Sequence, residues 1–109
     1  MQERTVHTSE SSERRRARRV RADLPLKLTG AEARLEDIST VGLLCSSPRP
    51  IPEMTVVRIG VELDTTLHEW DGAVVRCEQE ADEWKVAVFF TDMPDASRAQ
   101  LGSYIDGIS

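Results

Sequence analysis

The chain has 109 residues, 39% of them hydrophobic, and a net charge of −5. That length holds one small domain with no room for two cores. The average charge hides a split: residues 1–22 carry seven arginines against three glutamates (+4), and residues 23–109 carry seven cations against sixteen carboxylates (−9). A basic arm on an acidic body disfavours general affinity for nucleic acid, because a long polyanion meets repulsion beyond the arm. A small anion gripped at the root of the arm escapes most of that repulsion, since screening ends the field within about 8–10 Å.

Residues 1–13 are dominated by Ser, Glu, Thr and Gln. This composition cannot offset its ordering entropy and predicts a disordered tail, with the domain proper over 14–109. No apolar N-terminal stretch of the signal-peptide kind is present, and no run approaches the roughly 18–20 apolar residues of a membrane span. Cys45 and Cys77 lack a Cys-x-x-Cys spacing, and His7 and His68 form no ligand cluster with them. Two small core hydrophobes in a reducing cytoplasm is the favoured reading, with a disulfide between neighbouring strands as the minor alternative.

A basic cluster, Arg14-Arg15-Arg16-Ala17-Arg18-Arg19, precedes the first strand-like run. From Leu24 the pattern is β: Leu24, Leu26 and Leu28 alternate with Pro25, Lys27 and Thr29. Pro25 has no ladder donor, which predicts an edge at the start of this strand. Gly30 turns the chain, 33–37 reads as a second strand, 39–42 as a turn and 42–46 as a third strand. Pro48, Pro50 and Pro52 make a stiff loop. Val57, Ile59, Val61 and Leu63 then alternate with Arg58, Gly60, Glu62 and Asp64. Strands at 69–78 and 84–90 follow, joined by an acidic turn at 79–83. The last of them is apolar on both faces in places and is expected inside the sheet or under a helix. Pro94 and Asp95 suit a helix start. Leu101, Tyr104, Ile105 and Ile108 follow at the spacing of one buried stripe. The expected fold is therefore mainly β: a small six-stranded antiparallel β-barrel with a C-terminal α-helix and a flexible basic N-terminal arm. Closure would remove the open edges of such a sheet.

Two motifs carry chemistry. The first is the arginine cluster, all arginine and no lysine. Its forked guanidinium groups match phosphate oxygens or the O6/N7 edge of guanine with two parallel donors, which lysine cannot do. The second, about twenty residues on, is Asp37-Ile38-Ser39-Thr40-Val41-Gly42. An ionised Asp37 only accepts, so it complements the N1–H and N2–H donors of guanine. Ser39 can donate or accept. Gly42 suits a backbone position with φ > 0 or a close approach by ligand. Either motif alone is weak, since a terminal charge run is usually solvated and Asp-x-Ser-x-x-Gly is usually a plain turn.

Taken in order, Arg15-x-x-x-Arg19 followed by Asp37-x-Ser39-x-x-Gly42 resembles a PilZ domain, the bacterial receptor module for cyclic di-GMP. Arg14 and Arg18 satisfy the first spacing as well. The register ending on Arg19 is preferred because Arg19 directly precedes Val20 and the first strand, as in the family. The resemblance extends through the strand order, Phe89-Phe90-Thr91-Asp92-Met93 and the terminal helix. It implies that Arg15 and Arg19 contact phosphate and guanine, that Asp37 and Ser39 contact guanine, and that Gly42 shapes the loop. An arginine at the position of Arg14 tends in the family to accompany a stacked, intercalated dimer of the ligand. Arg16, Arg18 and Arg21 either add phosphate contacts or contribute only field.

The expected function is a cytoplasmic receptor that needs no cofactor, changes conformation on binding cyclic di-GMP and signals to an unidentified protein partner. The nearest rival is a degenerate PilZ-type module for motility or pilus machinery that binds no nucleotide. A basic-armed nucleic-acid binder is a second, opposed by the acidic body and by the lack of aromatic residues beside the arginines. An enzyme is the third. No nucleophile elbow, phosphate-cradling glycine loop or zinc spacing is present, so no catalytic or metal residue is assigned.

Overall fold

A computed structural model describes residues 18–108. The expected tail at 1–13, and Arg14, Arg15 and Arg16 with it, lie outside the described residues. Six strands follow in chain order: β1 Val20–Leu28, β2 Ala31–Ile38, β3 Gly42–Ser47, β4 Val56–Leu63, β5 Thr66–Glu80 and β6 Glu83–Asp92. One helix, α1 (Asp95–Ile108), completes the domain. The strands close into an antiparallel barrel in the order β1-β2-β3-β6-β5-β4.

Alternation decides what fills the barrel. Val57, Ile59, Val61 and Leu63 all point inward and are buried, as their period-two spacing predicts. Trp70 is fully buried and meets Phe90 edge-to-face, with ring centroids 5.2 Å apart. Leu101, Ile105 and Met93 join the same core from the helical end. The helix is tied down by polar contacts as well. The Arg98 guanidinium donates to the Thr40 carbonyl at 3.2 Å, and His68 Nδ1 lies 3.1 Å from Ser97 Oγ.

Several expectations need adjustment. The first strand begins at Val20, as the resemblance implies and ahead of the alternation read from Leu24, so Val20 to Ala22 belong to the barrel and not to the arm. Alternation already runs through them: Val20 and Ala22 are buried and Arg21 is exposed. β5 is longer than 69–78, and its hairpin turn with β6 narrows to residues 81–82. Pro25 pairs only with β2, because β1 reaches β4 from Leu26 onward; its missing donor falls where the ladder has no second neighbour. On α1 Leu101 and Ile105 are buried together with Ser97, and Tyr104 packs half-buried against the core, whereas Ile108, in the last turn, is 45% exposed. Cys45 and Cys77 are both free, as expected, but only Cys45 is buried in the core and Cys77 packs half-buried against it. Each pairs with Val86, from opposite sides of β6, so they sit two strand spacings or about 10 Å apart, beyond the reach of a disulfide. Burial pushes the Cys45 thiol up to about 12.

The turns store some strain. Thr29 and Gly30 connect β1 to β2 with φ of 50° and 84°, while Asp64 and Thr65 connect β4 to β5 with φ of 49° and 68°. Glycine is at home in this region, but a β-branched threonine is not. Thr65→Gly is therefore expected to raise stability by about 1 kcal/mol. A rise in the urea midpoint at unchanged slope would show it.

Candidate functional site

Arg19, the described end of the first motif, meets the second motif on the outer wall of the barrel. Arg19 directly precedes β1 and Asp37 lies near the end of β2, where β1 pairs with it through Arg21. Arg19 Nη1 lies 2.9 Å from Asp37 Oδ1, with the arginine half exposed and the aspartate largely covered. The second carboxylate oxygen of Asp37 has no partner among the described residues. Arg18, one residue earlier, turns the other way and pairs with Asp106 of α1 at 3.1 Å. The root of the arm thus holds two ion pairs, one to the site and one to the helix. Both arginines are half exposed and their pairs are of modest strength, so an anionic ligand could take either arginine over.

Ser39 and Gly42 build the turn below. Ser39 is buried, and its Oγ accepts from the backbone N–H of Val41 at 3.1 Å and of Gly42 at 3.3 Å. The Ser39 N–H donates to the Gly42 carbonyl at 2.9 Å. The hydroxyl is thus committed to the turn in this structure. Gly42 has no positive φ. Its need is close approach, and the approaching group is the neighbouring strand: a Cβ there would lie 2.6 Å from the Val88 carbonyl oxygen.

A cleft of about 400 Å³ opens beside Asp37, lined by Arg19, Asp37, Leu44, Ala87, Arg76, Glu78 and Lys85. That volume is in the range of small-ligand pockets. Leu44 and Ala87 form an apolar floor between charged walls. Lys85 is not a free cation, because it contacts Glu36, Glu80 and Glu83 and hydrogen-bonds Ser46. A larger groove, of about 530 Å³, lies around Lys27, Gly60, Leu67 and Glu69, away from both motifs. Its charge is mixed and nothing in it converges on one ligand type.

Arg76, Leu44, Ala87 and the Glu36–Lys85 pair escaped the sequence reading. A signal for Arg76 exists in Val74-Val75-Arg76, where strict alternation breaks. The Glu36 carboxyl is held below the usual carboxylate range by hydrogen bonds from Lys85 and Ser46. The Lys85 ammonium is held above its ordinary value, chiefly by its hydrogen bond to Glu36. The stability contributed by Glu36 is present above its unfolded value of 4.5 and lost as pH falls through the depressed folded value. That of Lys85 is present below 10.5 and lost as pH rises through the raised folded value. Lys85→Met is thus expected to lower stability by about 1 kcal/mol at pH 7 and to shrink the loss seen on acidification. Urea titrations at pH 7 and in acid would check both.

No group of three or more His, Cys, Asp or Glu among the described residues could hold a metal ion. No helix of the described chain is long and apolar enough to cross a membrane.

A closed, helix-capped β-barrel with a polar turn and arginines converging on an outer cleft defines a small binding module. The family model of the PilZ domain matches residues 13–107, nearly the whole chain, and the chain belongs to that family. PilZ domains are in general receptors for cyclic di-GMP and act as binding or adaptor modules. No curated protein matches the chain.

Proposed function

We propose that this domain is a cyclic di-GMP receptor that passes the binding event to a protein partner. The observation that carries the reading is the meeting of Arg19 and Asp37, eighteen residues apart in sequence, at 2.9 Å on the lip of the cleft. One is a forked donor for phosphate or the guanine O6/N7 edge; the other is an acceptor for the guanine N1–H and N2–H. Arg15 and Arg14 would approach from the arm, Arg15 toward phosphate and guanine and Arg14 toward a second, intercalated ligand molecule. Arg16 and Arg18 would add phosphate contacts, with Arg18 leaving Asp106. Ser39 and Gly42 would act through the turn that holds Asp37.

The mechanism couples ordering to binding. Arginines crowded on one short arm repel one another. Ligand phosphates neutralise that charge and draw the arm over the barrel, at an ordering cost that lowers the affinity below what the contacts alone would give. Movement of Arg18 off Asp106 would transmit the change to α1, a surface a partner can read. Neither the chemistry nor the family calls for a cofactor, for catalysis, or for insertion into a membrane, and a cytoplasmic setting suits the free thiols.

A second reading has one observation in its favour. Phe89, Ala73 and Val56 stand in register across β6, β5 and β4, and Phe89, Val56, Val75 and Met54 are exposed. An apolar stripe of this kind suits a protein contact, with or without nucleotide. Titration with cyclic di-GMP separates the two. Saturable heat selective over GTP supports the receptor; its absence from folded protein leaves the protein-contact reading.

A further inference from the structure

We infer that Arg76 is a ligand-reading residue: one guanine lies flat over Leu44 and Ala87, with its N1/N2 edge on Asp37 and its O6/N7 edge on Arg76. This deepens the receptor reading above and rests on it.

Strand register supplies the first argument. Asp37 pairs with Leu44, Leu44 with Ala87, and Ala87 with Arg76. The four residues form one lateral row across β2, β3, β6 and β5. Both ends of the row reach the same face by a deviation from regular pairing. Leu35 points inward, so strict alternation would send Asp37 inward too; the bulge between Leu35 and Asp37 inserts Glu36 and turns Asp37 out. Val74 points inward, so Arg76 would follow; the bulge between Val74 and Arg76 inserts Val75 and turns Arg76 out. Bulges re-aim side chains in this way beside binding sites. Two of them, one at each end of a single row, place a carboxylate and a guanidinium facing each other across an apolar strip.

Dimensions and charge supply the second. Three strand spacings separate Asp37 from Arg76, about 14 Å between backbones. That gap accommodates a purine with a hydrogen-bonded side chain at each edge. The donor pattern is complementary to guanine: acceptor oxygens on one side for N1–H and N2–H, a fork on the other for O6 and N7. Arg76 is exposed and makes no ion pair or hydrogen bond with any described residue, unlike Arg18, Arg19, Arg58 and Lys85. No described residue engages its fork, which stands at the wall of the cleft. Lys85, the other cation there, is surrounded by carboxylates and offers little to an anion.

The test is isothermal titration of wild type, Arg76→Ala and Asp37→Ala with cyclic di-GMP and with its bis-7-deazaguanine analogue, which lacks the N7 acceptor. Circular dichroism and melting would confirm that each variant folds, as the exposure of Arg76 leads one to expect. Arg76→Ala is expected to weaken cyclic di-GMP binding about tenfold or more. The penalty for the deaza analogue, seen in wild type, should shrink in Arg76→Ala, because the partner of N7 is gone. Arg76→Ala binding as tightly as wild type while Asp37→Ala binds weakly would overturn the inference and leave the receptor reading intact. An undiminished deaza penalty in Arg76→Ala would overturn it as well, reducing Arg76 to a source of field. No binding of cyclic di-GMP by wild type would overturn both.

Discussion

Asp37→Ala is expected to weaken cyclic di-GMP binding by about 1–3 kcal/mol, roughly 5- to 150-fold, with the fold intact. The carboxylate is the sole acidic group of the Asp-Ser-Gly turn, and the bulge at Glu36 exists in the structure where it turns Asp37 outward. Removing it deletes the acceptor for the guanine N1–H and N2–H and releases Arg19 from its 2.9 Å pairing. Arg19 is half exposed, so water takes over its donors and the barrel loses little. Asp37→Asn keeps one acceptor and should fall between wild type and Asp37→Ala. Titration calorimetry gives the affinity and a melting curve gives the stability. Weak binding with an unchanged midpoint is the expected pairing of results.

Gly42→Val has the largest expected effect on stability, about 3 kcal/mol, the upper end for atoms forced into a packed region. The position has no space for a side chain: a Cβ would lie 2.6 Å from the Val88 carbonyl oxygen, which is backbone and cannot swing away. β3 and β6 pair from Gly42–Phe89 to Ser47–Trp84, so the first rung of that ladder would open. The same residue closes the Ser39 turn, accepting from the Ser39 N–H at 2.9 Å. Nucleotide binding should therefore fall together with stability, even where the barrel stays folded. Gly42→Ala should act in the same direction and less strongly. A urea midpoint equal to wild type would show that β6 can yield at this point.

The barrel was legible because its strands alternate cleanly: Val57 to Leu63 and Leu24 to Leu28 declare an inner face, and Gly30 and the proline loop mark the breaks. The helix was legible for the same reason, except at Ile108, which keeps the helical spacing but is exposed in the last turn. The strands start earlier than read, at Val20 and at Thr66: Val20 to Asp23 alternates but over a single large apolar residue, and Leu67 is apolar yet exposed, so 66–68 declares no inner face. The meeting of Arg19 and Asp37 was foreshadowed in sequence because two motifs stand in order. The roles of Ser39 and Gly42 were only half legible. A hydroxyl that serves its own turn and a glycine that admits a neighbouring strand look the same in sequence as residues that face a ligand. Arg76 was hidden because its place depends on a bulge at Val75 and on β5 lying two strands from β3. Register across non-consecutive strands is a tertiary fact, set by closure of the barrel and not by local pattern.

The most direct test of the receptor reading is isothermal titration of the purified protein with cyclic di-GMP, with GTP and linear pGpG as controls. The expected result is saturable heat for cyclic di-GMP alone, at one or two ligands per chain, greatly reduced in Arg19→Ala and Asp37→Ala. Two ligands per chain would assign Arg14 to the intercalated dimer. An absence of heat at several temperatures from a protein shown to be folded would contradict the reading.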